Sequence, residues 1–189
     1  MSSFSAVYDA CVLYPAPLRD LLLQLAQVNL FRAKWSDQIH DEWTRNLLAR
    51  HPDLQPAQLQ RTRALMDQAV LDSVVTGHEY LIESLTLPDE EDRHVLAAAI
   101  RSGSSVIVTF NLKDFPGDAL LSHDVEAQHP DEFIMHLIDL NPASVLEAVR
   151  ACRASLKNPP KSPDKYLETL LQQGLPETVA WLSRYKSAI

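Results

Sequence analysis

The feature that most constrains the fold is a short apolar segment in the middle of the chain, Val106-Ile107-Val108. Three consecutive β-branched residues predict a strand, and a strand without polar alternation is typical of a parallel sheet covered on both faces. Before it, apolar residues recur at helical spacing from Val95 to Ile100, and Gly103 follows as a predicted C-cap. A helix leading into a buried parallel strand indicates an α/β fold.

The beginning of the chain repeats this combination of strand and helix. Residues Phe4 to Asp9 are mostly apolar, which predicts a buried strand with the aspartate at its C-terminal end. Helices with one apolar side are predicted at about residues 18–28, 36–51 and 56–72. The sequence therefore predicts a central parallel sheet flanked by helices.

The C-terminal part of the chain is predicted to be helical. A helix from Asp131 to Leu140 is followed by Asn141-Pro142, and three more helical segments come after that break. We expect one domain at residues 1–139 and a small C-terminal helical appendage at residues 140–189.

The charge of the chain is distributed unevenly. The net charge of −8 over 189 residues argues against a protein that binds nucleic acid over its whole surface, because such binding depends on neutralising phosphates. Residues 64–149 carry a net charge of −13, whereas residues 150–189 carry +4. The acidic segment either lies in solvent or gathers carboxylates around cations, and the basic tail either packs as scaffold or contacts phosphates. Composition alone does not choose between these alternatives.

Composition also limits the class of site and the cellular setting. No apolar run approaches the ~20 residues of a membrane span, and the N-terminus lacks a signal-peptide pattern, so we expect a cytoplasmic protein without membrane association. Cys11 and Cys152 are too few for a disulfide framework or a cysteine zinc site. The four glycines form no phosphate-binding loop of the P-loop or dinucleotide type.

Four carboxylates are candidates for a metal site. Asp9 and Asp114 follow the two predicted strands, so they are expected at the same edge of the sheet. Asp92 precedes the apolar face of its helix by three and four residues and is expected on the core-facing side. Glu42 lies at the border of an apolar stripe. The purely structural alternatives are a turn capped by Asp9 and a surface salt bridge formed by Glu42.

Inward-facing carboxylates repel one another unless a cation lies between them. Hard oxygen ligands select Mg²⁺, with Mn²⁺ as the alternative. Such ions can activate a water molecule and stabilise the attacking and leaving oxygens of a phosphodiester displacement. If the four acids converge, they predict metal-dependent phosphodiester hydrolysis.

Three segments of the chain form a recognisable pattern. The first is Val7-Tyr8-Asp9-Ala10 with the leucine-rich helix after it, and the second is the helix segment 41–47. The third and most specific is an acid and an alanine-rich helix at residues 92–99, a buried strand, and the loop Thr109-Phe110-Asn111-Leu112-Lys113-Asp114-Phe115. Together they resemble the PIN-domain family, and in particular its VapC-type toxin ribonucleases. The resemblance covers residues 4 to about 138.

The resemblance implies which residues form the site. It assigns Asp9, Glu42 and Asp92 to the first three acidic positions. Many family members have an aspartate where this chain has Asn111. The fourth position therefore either falls to Asp114 or is shared through the Asn111 carbonyl and a water molecule. As a supporting residue, Thr109 is expected to hydrogen-bond a metal-binding carboxylate.

The resemblance also implies an activity and partners. It implies a PIN-like fold and a Mg²⁺-dependent endoribonuclease, commonly the toxin of a type II toxin–antitoxin pair. The implied partners are an RNA substrate, a cognate antitoxin and a second copy of the chain in a homodimer. The segment after about residue 140 resembles the C-terminal extension of a VapC subgroup.

Other classes compete with a ribonuclease. A haloacid-dehalogenase phosphatase would need an aspartate at the position of Cys11, and a DNA-directed nuclease of the wider PIN-like class usually carries more acids and a helical arch. A non-catalytic or weakly active PIN-scaffold binding protein, regulated by a partner, is the alternative that the change to Asn111 favours. RNA cleavage distinguishes it from an enzyme.

Overall fold

The computed structural model of the chain describes residues 4–189, so residues 1–3 of the predicted N-terminal domain lie outside the described part. In chain order the strands and helices are β1 (Ser5–Tyr8), α1 (Ala10–Leu13), α2 (Ala16–Ala26), β2 (Arg32–Ser36), α3 (Asp37–Arg50), α4 (Pro56–Ala69), β3 (Val74–Val75), α5 (Glu79–Ile82), α6 (Arg93–Ser102), β4 (Val106–Val108), α7 (Gly117–Leu121), β5 (Glu126–Gln128), α8 (Pro130–Leu140), α9 (Pro142–Ser155), α10 (Pro163–Gln172) and α11 (Pro176–Leu182). Short 3₁₀ segments cover Glu90–Asp92, Leu112–Asp114 and Ser183–Ala188. Within residues 4–189, no helix combines the length and apolar character needed to cross a bilayer.

The sheet confirms the predicted α/β class. Within the described residues, five parallel strands pair in the order β3-β2-β1-β4-β5. The chain moves outward from β1 to β2 and β3, then returns to the other side of β1 for β4 and β5. The strand order therefore reverses between β1 and β4, and the crevice outside the carboxyl ends at such a point is where α/β sheets bind ligands.

The central strands are buried, as their unbroken apolar sequences predict. Val7 and Tyr8 of β1 and Ile107 and Val108 of β4 have no exposed surface. The ring of Tyr8 stacks on that of Trp35 in β2, with 6.2 Å between the ring centroids. This packing fixes the ends of β1 and β4, from which the loops of the crevice begin.

The described chain forms two compact units. The first extends to Tyr14 and resumes at residues 31–129, and the second comprises residues 15–30 and 130–189. The first unit contains the sheet, whereas the second is helical and contains α2 and α8 to α11. The division predicted from the sequence, at residues 139 and 140, assigned α2 and α8 to the N-terminal domain. That domain boundary stays a prediction.

Several short elements were not predicted. The sequence analysis omitted α1, β2, β3 and α5, although its longer helices and both central strands are present within a few residues of the predicted bounds. The strand β2 reads Arg-Ala-Lys-Trp-Ser, in which Ala33 and Trp35 are buried and Arg32 is exposed. This alternation is the signal of a half-buried strand and could have identified it. β3 has two residues, too few for any periodicity.

The second unit is held together partly by a buried carboxylate. Asp131 of α8 is 5% exposed. Its Oδ2 accepts a hydrogen bond from the backbone N–H of Glu177 at 2.8 Å, and its Oδ1 accepts one from Thr178 at 2.9 Å. The carboxylate thereby caps the N-terminus of α11 from another helix, and its negative charge suits that end of the helix dipole.

We predict that Asp131→Ala lowers the free energy of unfolding by about 2 kcal/mol, because two N–H groups at the start of α11, one buried and one partly buried, lose their acceptor. Urea denaturation followed by circular dichroism measures this change. The matched control is Asp139→Ala, which removes an exposed carboxylate from the same helix and should change stability by less than about 0.5 kcal/mol. Equal stabilities of the two variants would contradict a capping role.

Candidate active site

The four predicted carboxylates lie on four segments of the first unit. Asp9 directly follows β1, Glu42 lies in α3, Asp92 lies where the 3₁₀ turn continues into α6, and Asp114 ends the 3₁₀ turn after β4. Asp9 is buried and the other three side chains are half-buried. None of the four is fully exposed, which distinguishes them from ordinary surface acids.

The carboxylate of Asp9 is held by three donors. It is 2% exposed. Its Oδ1 accepts a 2.7 Å hydrogen bond from the N–H of Ala10, so the residue is the N-cap of α1. Its Oδ2 accepts from the Thr109 hydroxyl at 2.7 Å and from the Cys11 thiol at 3.1 Å. Asp9 therefore does cap the next turn, and it is also tied to the loop after β4.

The loop after β4 is connected to Asp9 through two hydrogen-bonded side chains. The N–H of Asn111 donates to the Thr109 hydroxyl at 2.9 Å, and the N–H of Phe110 donates to the Cys11 sulfur at 3.3 Å. The Thr109 hydroxyl and the Cys11 thiol in turn donate to the Asp9 carboxylate. The hydrogen bond expected from Thr109 is thus present. The sequence analysis gave Cys11 no part in the site, because a lone cysteine carries no motif.

Burial and charge act together on the two most central acids. Burial raises the pKa of Asp9, the hydrogen bonds from Thr109 and Cys11 lower it, and the charge of Glu42 raises it again. Burial and then like charges raise the pKa of Asp92 to about 7. The charges that act on it are those of Asp9, Asp89, Glu42 and Asp114. The predicted carboxylates are thus close enough to repel one another through space.

Little positive charge compensates this repulsion. Among the described residues, no lysine or arginine forms an ion pair with any of the four carboxylates. Glu42 Oε2 lies 3.2 Å from His94 Nε2, so its partner is a histidine and not one of the neighbouring arginines weighed from the sequence. The Nδ1 atom of His94 is buried and has no hydrogen-bond partner among residues 4–189.

The donor set suits a hard divalent cation. Within residues 4–189, no group of three or more His, Cys, Asp or Glu side chains is gathered closely enough to hold a metal ion. The four acids nevertheless supply only oxygen donors, and their mutual repulsion is the electrostatic condition that a cation relieves. The residues present therefore fit Mg²⁺ by chemistry and charge.

Asn111 and Asp114 differ in their surroundings. Asn111 is exposed and lines an open cleft. Asp114 is half-buried, and its charge contributes to the raised pKa of Asp92. Of the two side chains, Asp114 is thus the one that adds negative charge near Asp92, whereas Asn111 is a neutral part of the cleft lining.

The cleft lies directly beside this acidic cluster. It has a volume of about 390 Å³ and is lined by Ala10, Cys11, Tyr14, Glu42, Asn46, Ala49, Arg50 and Asn111. The Arg50 guanidinium carbon lies 6.0 Å from the centroid of the Tyr14 ring, a cation–π arrangement. The cleft therefore connects one of the acids to a cation and two side-chain amides.

Comparison with known proteins agrees with the fold. Residues 5–113, more than half of the chain, match the model of the PIN domain family, and the chain belongs to that family. Residues 130–184 match the model of the VapC50 C-terminal domain. The resemblance to PIN domains with a VapC-type C-terminal extension is confirmed.

One relative gives a more specific comparison. A Mycobacterium tuberculosis protein named "Putative ribonuclease VapC50" is 41% identical over 83 residues, which cover 44% of this chain and 49% of that protein. The match thus spans about half of the length of that relative. No solved structure matches the chain significantly.

We predict that Asp92→Asn stabilises the metal-free protein. Because the folded-state pKa of about 7 exceeds the ordinary value of 3.8, the folded protein binds more protons than the unfolded chain between these pH values. The contribution of Asp92 to stability therefore falls as pH rises through that window. At pH 8 in EDTA we expect a gain of about 1 kcal/mol for the variant, after allowance for solvent screening of a half-buried group.

Urea denaturation at pH 5 and pH 8 measures this effect as the difference between wild type and variant. The control is Glu91→Gln, which removes the exposed neighbouring charge. A variant that loses as much stability as the wild type between the two pH values would show that Asp92 is not under electrostatic strain.

Proposed function

We propose that this protein is a Mg²⁺-dependent endoribonuclease and the toxin of a type II toxin–antitoxin pair. The observation that carries the proposal is the cluster of mutually repelling carboxylates around Asp9 and Asp92, at the point where the strand order of the sheet reverses. Membership of the PIN domain family and the similarity to a protein named as a ribonuclease support a nuclease.

In this proposal Asp9, Glu42, Asp92 and Asp114 hold the metal, with Mn²⁺ as an alternative to Mg²⁺. A bound divalent cation supplies activation of a water molecule and neutralisation of charge on the phosphate. The protein supplies the positions of the ligands. Thr109 orients the Asp9 carboxylate through its 2.7 Å hydrogen bond, and it is therefore a positioning residue.

His94 is a further positioning residue in this scheme. Its Nε2 lies 3.2 Å from Glu42 Oε2, so an N–H at that nitrogen donates to the glutamate and orients it.

The raised pKa of Asp92 means that protons compete with cations for this carboxylate near neutral pH. Metal binding is therefore expected to release protons from the site.

The proposed partners are those expected of a VapC-type toxin ribonuclease. They are an RNA substrate, a cognate antitoxin that binds near the acidic site, and a second copy of the chain in a homodimer. A cytoplasmic location also belongs to the proposal, because such a protein would meet its RNA substrate and its antitoxin there. The division into a PIN domain at residues 1–139 and a C-terminal extension at residues 140–189 also stays part of it.

The alternative function is a PIN-scaffold binding protein with little or no activity, regulated by a partner. The replacement of the usual aspartate by Asn111 favours it. The charge of Asp114, which helps to raise the pKa of Asp92, argues against it, because the Asp114 carboxylate can supply the charge that Asn111 lacks.

We expect Asp9→Asn and Asp92→Asn each to lower RNA cleavage by at least about a hundredfold, because each removes a charged metal ligand. Digestion of total RNA by the purified full chain, with mapping of the cleaved ends, measures this. EDTA should abolish the wild-type activity and added Mg²⁺ should restore it. Glu91→Gln is the matched control and should cleave like wild type. If both aspartate variants retain activity, the carboxylate mechanism is wrong.

Thr109→Val is expected to lower cleavage about 10- to 100-fold and to raise the Mg²⁺ concentration needed for half-maximal activity, because Asp9 loses the donor that orients it. Thr109→Ser keeps the hydroxyl and should retain most of the activity. A magnesium titration of both variants separates positioning from general damage to the fold. Identical magnesium requirements in wild type and Thr109→Val would contradict the positioning role.

A further inference from the structure

One face of α3 links the acidic cluster to the cleft. Glu42, Asn46 and Arg50 follow one another at intervals of four residues, so they lie along the same side of the helix. All three line the cleft. From Glu42 to Arg50 the helix rises by about 12 Å. Arg50 therefore follows Glu42 by about two helical turns, and its guanidinium forms no ion pair with that carboxylate.

The Tyr14 ring provides a support for Arg50. The guanidinium lies over this ring, with 6.0 Å between its central carbon and the ring centroid. A guanidinium that interacts with an aromatic ring through its flat face keeps its N–H groups available, and they can bind a phosphate through two parallel hydrogen bonds. Among the described residues that line the cleft, Arg50 is the one cation.

The remaining polar groups of the cleft suit a nucleobase. Asn46 and Asn111 each offer a side-chain amide that both donates and accepts hydrogen bonds. Unpaired bases are read through such contacts on their exposed edges, whereas the bases of a duplex are stacked and paired. The cleft volume of about 390 Å³ is within the range of pockets that take one small ligand.

We propose that this cleft is a subsite for one unpaired RNA nucleotide next to the cleaved bond, with its phosphate on Arg50 and its base edge at Asn46 and Asn111. The inference rests on the proposed ribonuclease function and specifies how the substrate is held. Glu42 belongs to both the acidic cluster and the cleft, so a strand bound to Arg50 has its next phosphates directed toward the carboxylates. The subsite makes this enzyme selective for single-stranded RNA and for the base at one position.

The test compares Arg50→Ala with Arg45→Ala. Both residues are exposed arginines of α3, but Arg45 does not line the cleft. Each substitution is made in the full chain carrying Asp92→Asn, so that binding is measured without cleavage and the contacts between Asp9 and the loop at residues 109–111 are kept. The probes are fluorescently labelled oligo-A, oligo-C and oligo-U in Mg²⁺ buffer, followed by anisotropy over a series of salt concentrations.

We expect Arg50→Ala to weaken RNA binding about tenfold, the loss typical of a charge-assisted contact. The slope of log affinity against log salt should fall in magnitude by about 0.7, which corresponds to one phosphate contact on a single strand. Arg50→Lys should retain the slope but bind more weakly than wild type, and Arg45→Ala should bind within about twofold of the parent. Asn46→Ala should reduce the difference in affinity among the three RNAs.

The outcomes separate the subsite from the proposed function. If the otherwise unsubstituted protein cleaves RNA but Arg50→Ala and Arg45→Ala bind RNA equally, the subsite is overturned and the ribonuclease stands. If the cleft binds RNA through Arg50 but the chain with intact acids never cleaves it, the subsite stands and the nuclease fails. Absence of RNA binding by every variant overturns the subsite. Thermal denaturation confirms that both arginine variants are folded.

Discussion

The carboxylate of Asp9 is the group on which the rest of the site depends. A charged side chain with 2% exposure is stable only if its oxygens are satisfied, and here a backbone amide, a hydroxyl and a thiol supply the hydrogen bonds. Two of these donors also accept hydrogen bonds from the loop after β4. The same contacts that make burial of Asp9 tolerable therefore set the path of residues 109–111.

The position of Asp9 is a consequence of the sheet. β1 lies between β2 and β4, and all strands of the described sheet are parallel, so the loops after β1 and β4 begin at one edge. The side chains of Asp9 and Thr109 meet there across two paired strands. Asp92 then comes to this edge from the start of α6, where burial and the charges of neighbouring acids raise its pKa to about 7. Like charges gathered in this way oppose folding, and such arrangements are common at functional sites.

The sequence predicted those elements whose burial can be read from the apolar pattern of the element itself. The strands ending at Tyr8 and Val108 and the helix from Asp37 could be predicted, because each has an unbroken or periodic apolar pattern. With the strands known to be parallel, it followed that Asp9 and Asp114 belong at one edge. Long-range contacts could not be predicted in this way. The pairing of Cys11 with the loop after β4 joins residues about a hundred positions apart, and no local pattern reports it.

The contact of Glu42 is a second example of a long-range contact that the sequence does not predict. The position of Glu42 at the border of an apolar stripe was visible in the sequence. Its partner His94 was not, because His94 lies in α6, and the way in which α6 packs against α3 is a property of the tertiary structure. The alternative prediction, a salt bridge between Glu42 and a neighbouring arginine, considered only partners within the same helix. Arg50 projects instead over Tyr14, on the cleft side of the helix.

The uneven charge of the chain can now be related to the acidic cluster. Residues 64–149 carry a net charge of −13 and include Asp92 and Asp114, so this segment repels a polyanion unless cations intervene. RNA can approach such a site only where positive charge is presented. In the proposed function, a divalent cation bound by the acids would supply that charge beside the cleft, and Arg50 supplies it within the cleft. Because the charge of Arg50 is permanent and that of a bound cation is not, the proposed subsite would hold a strand even before the metal site is complete. An acidic protein can thus bind RNA at one place without binding it everywhere.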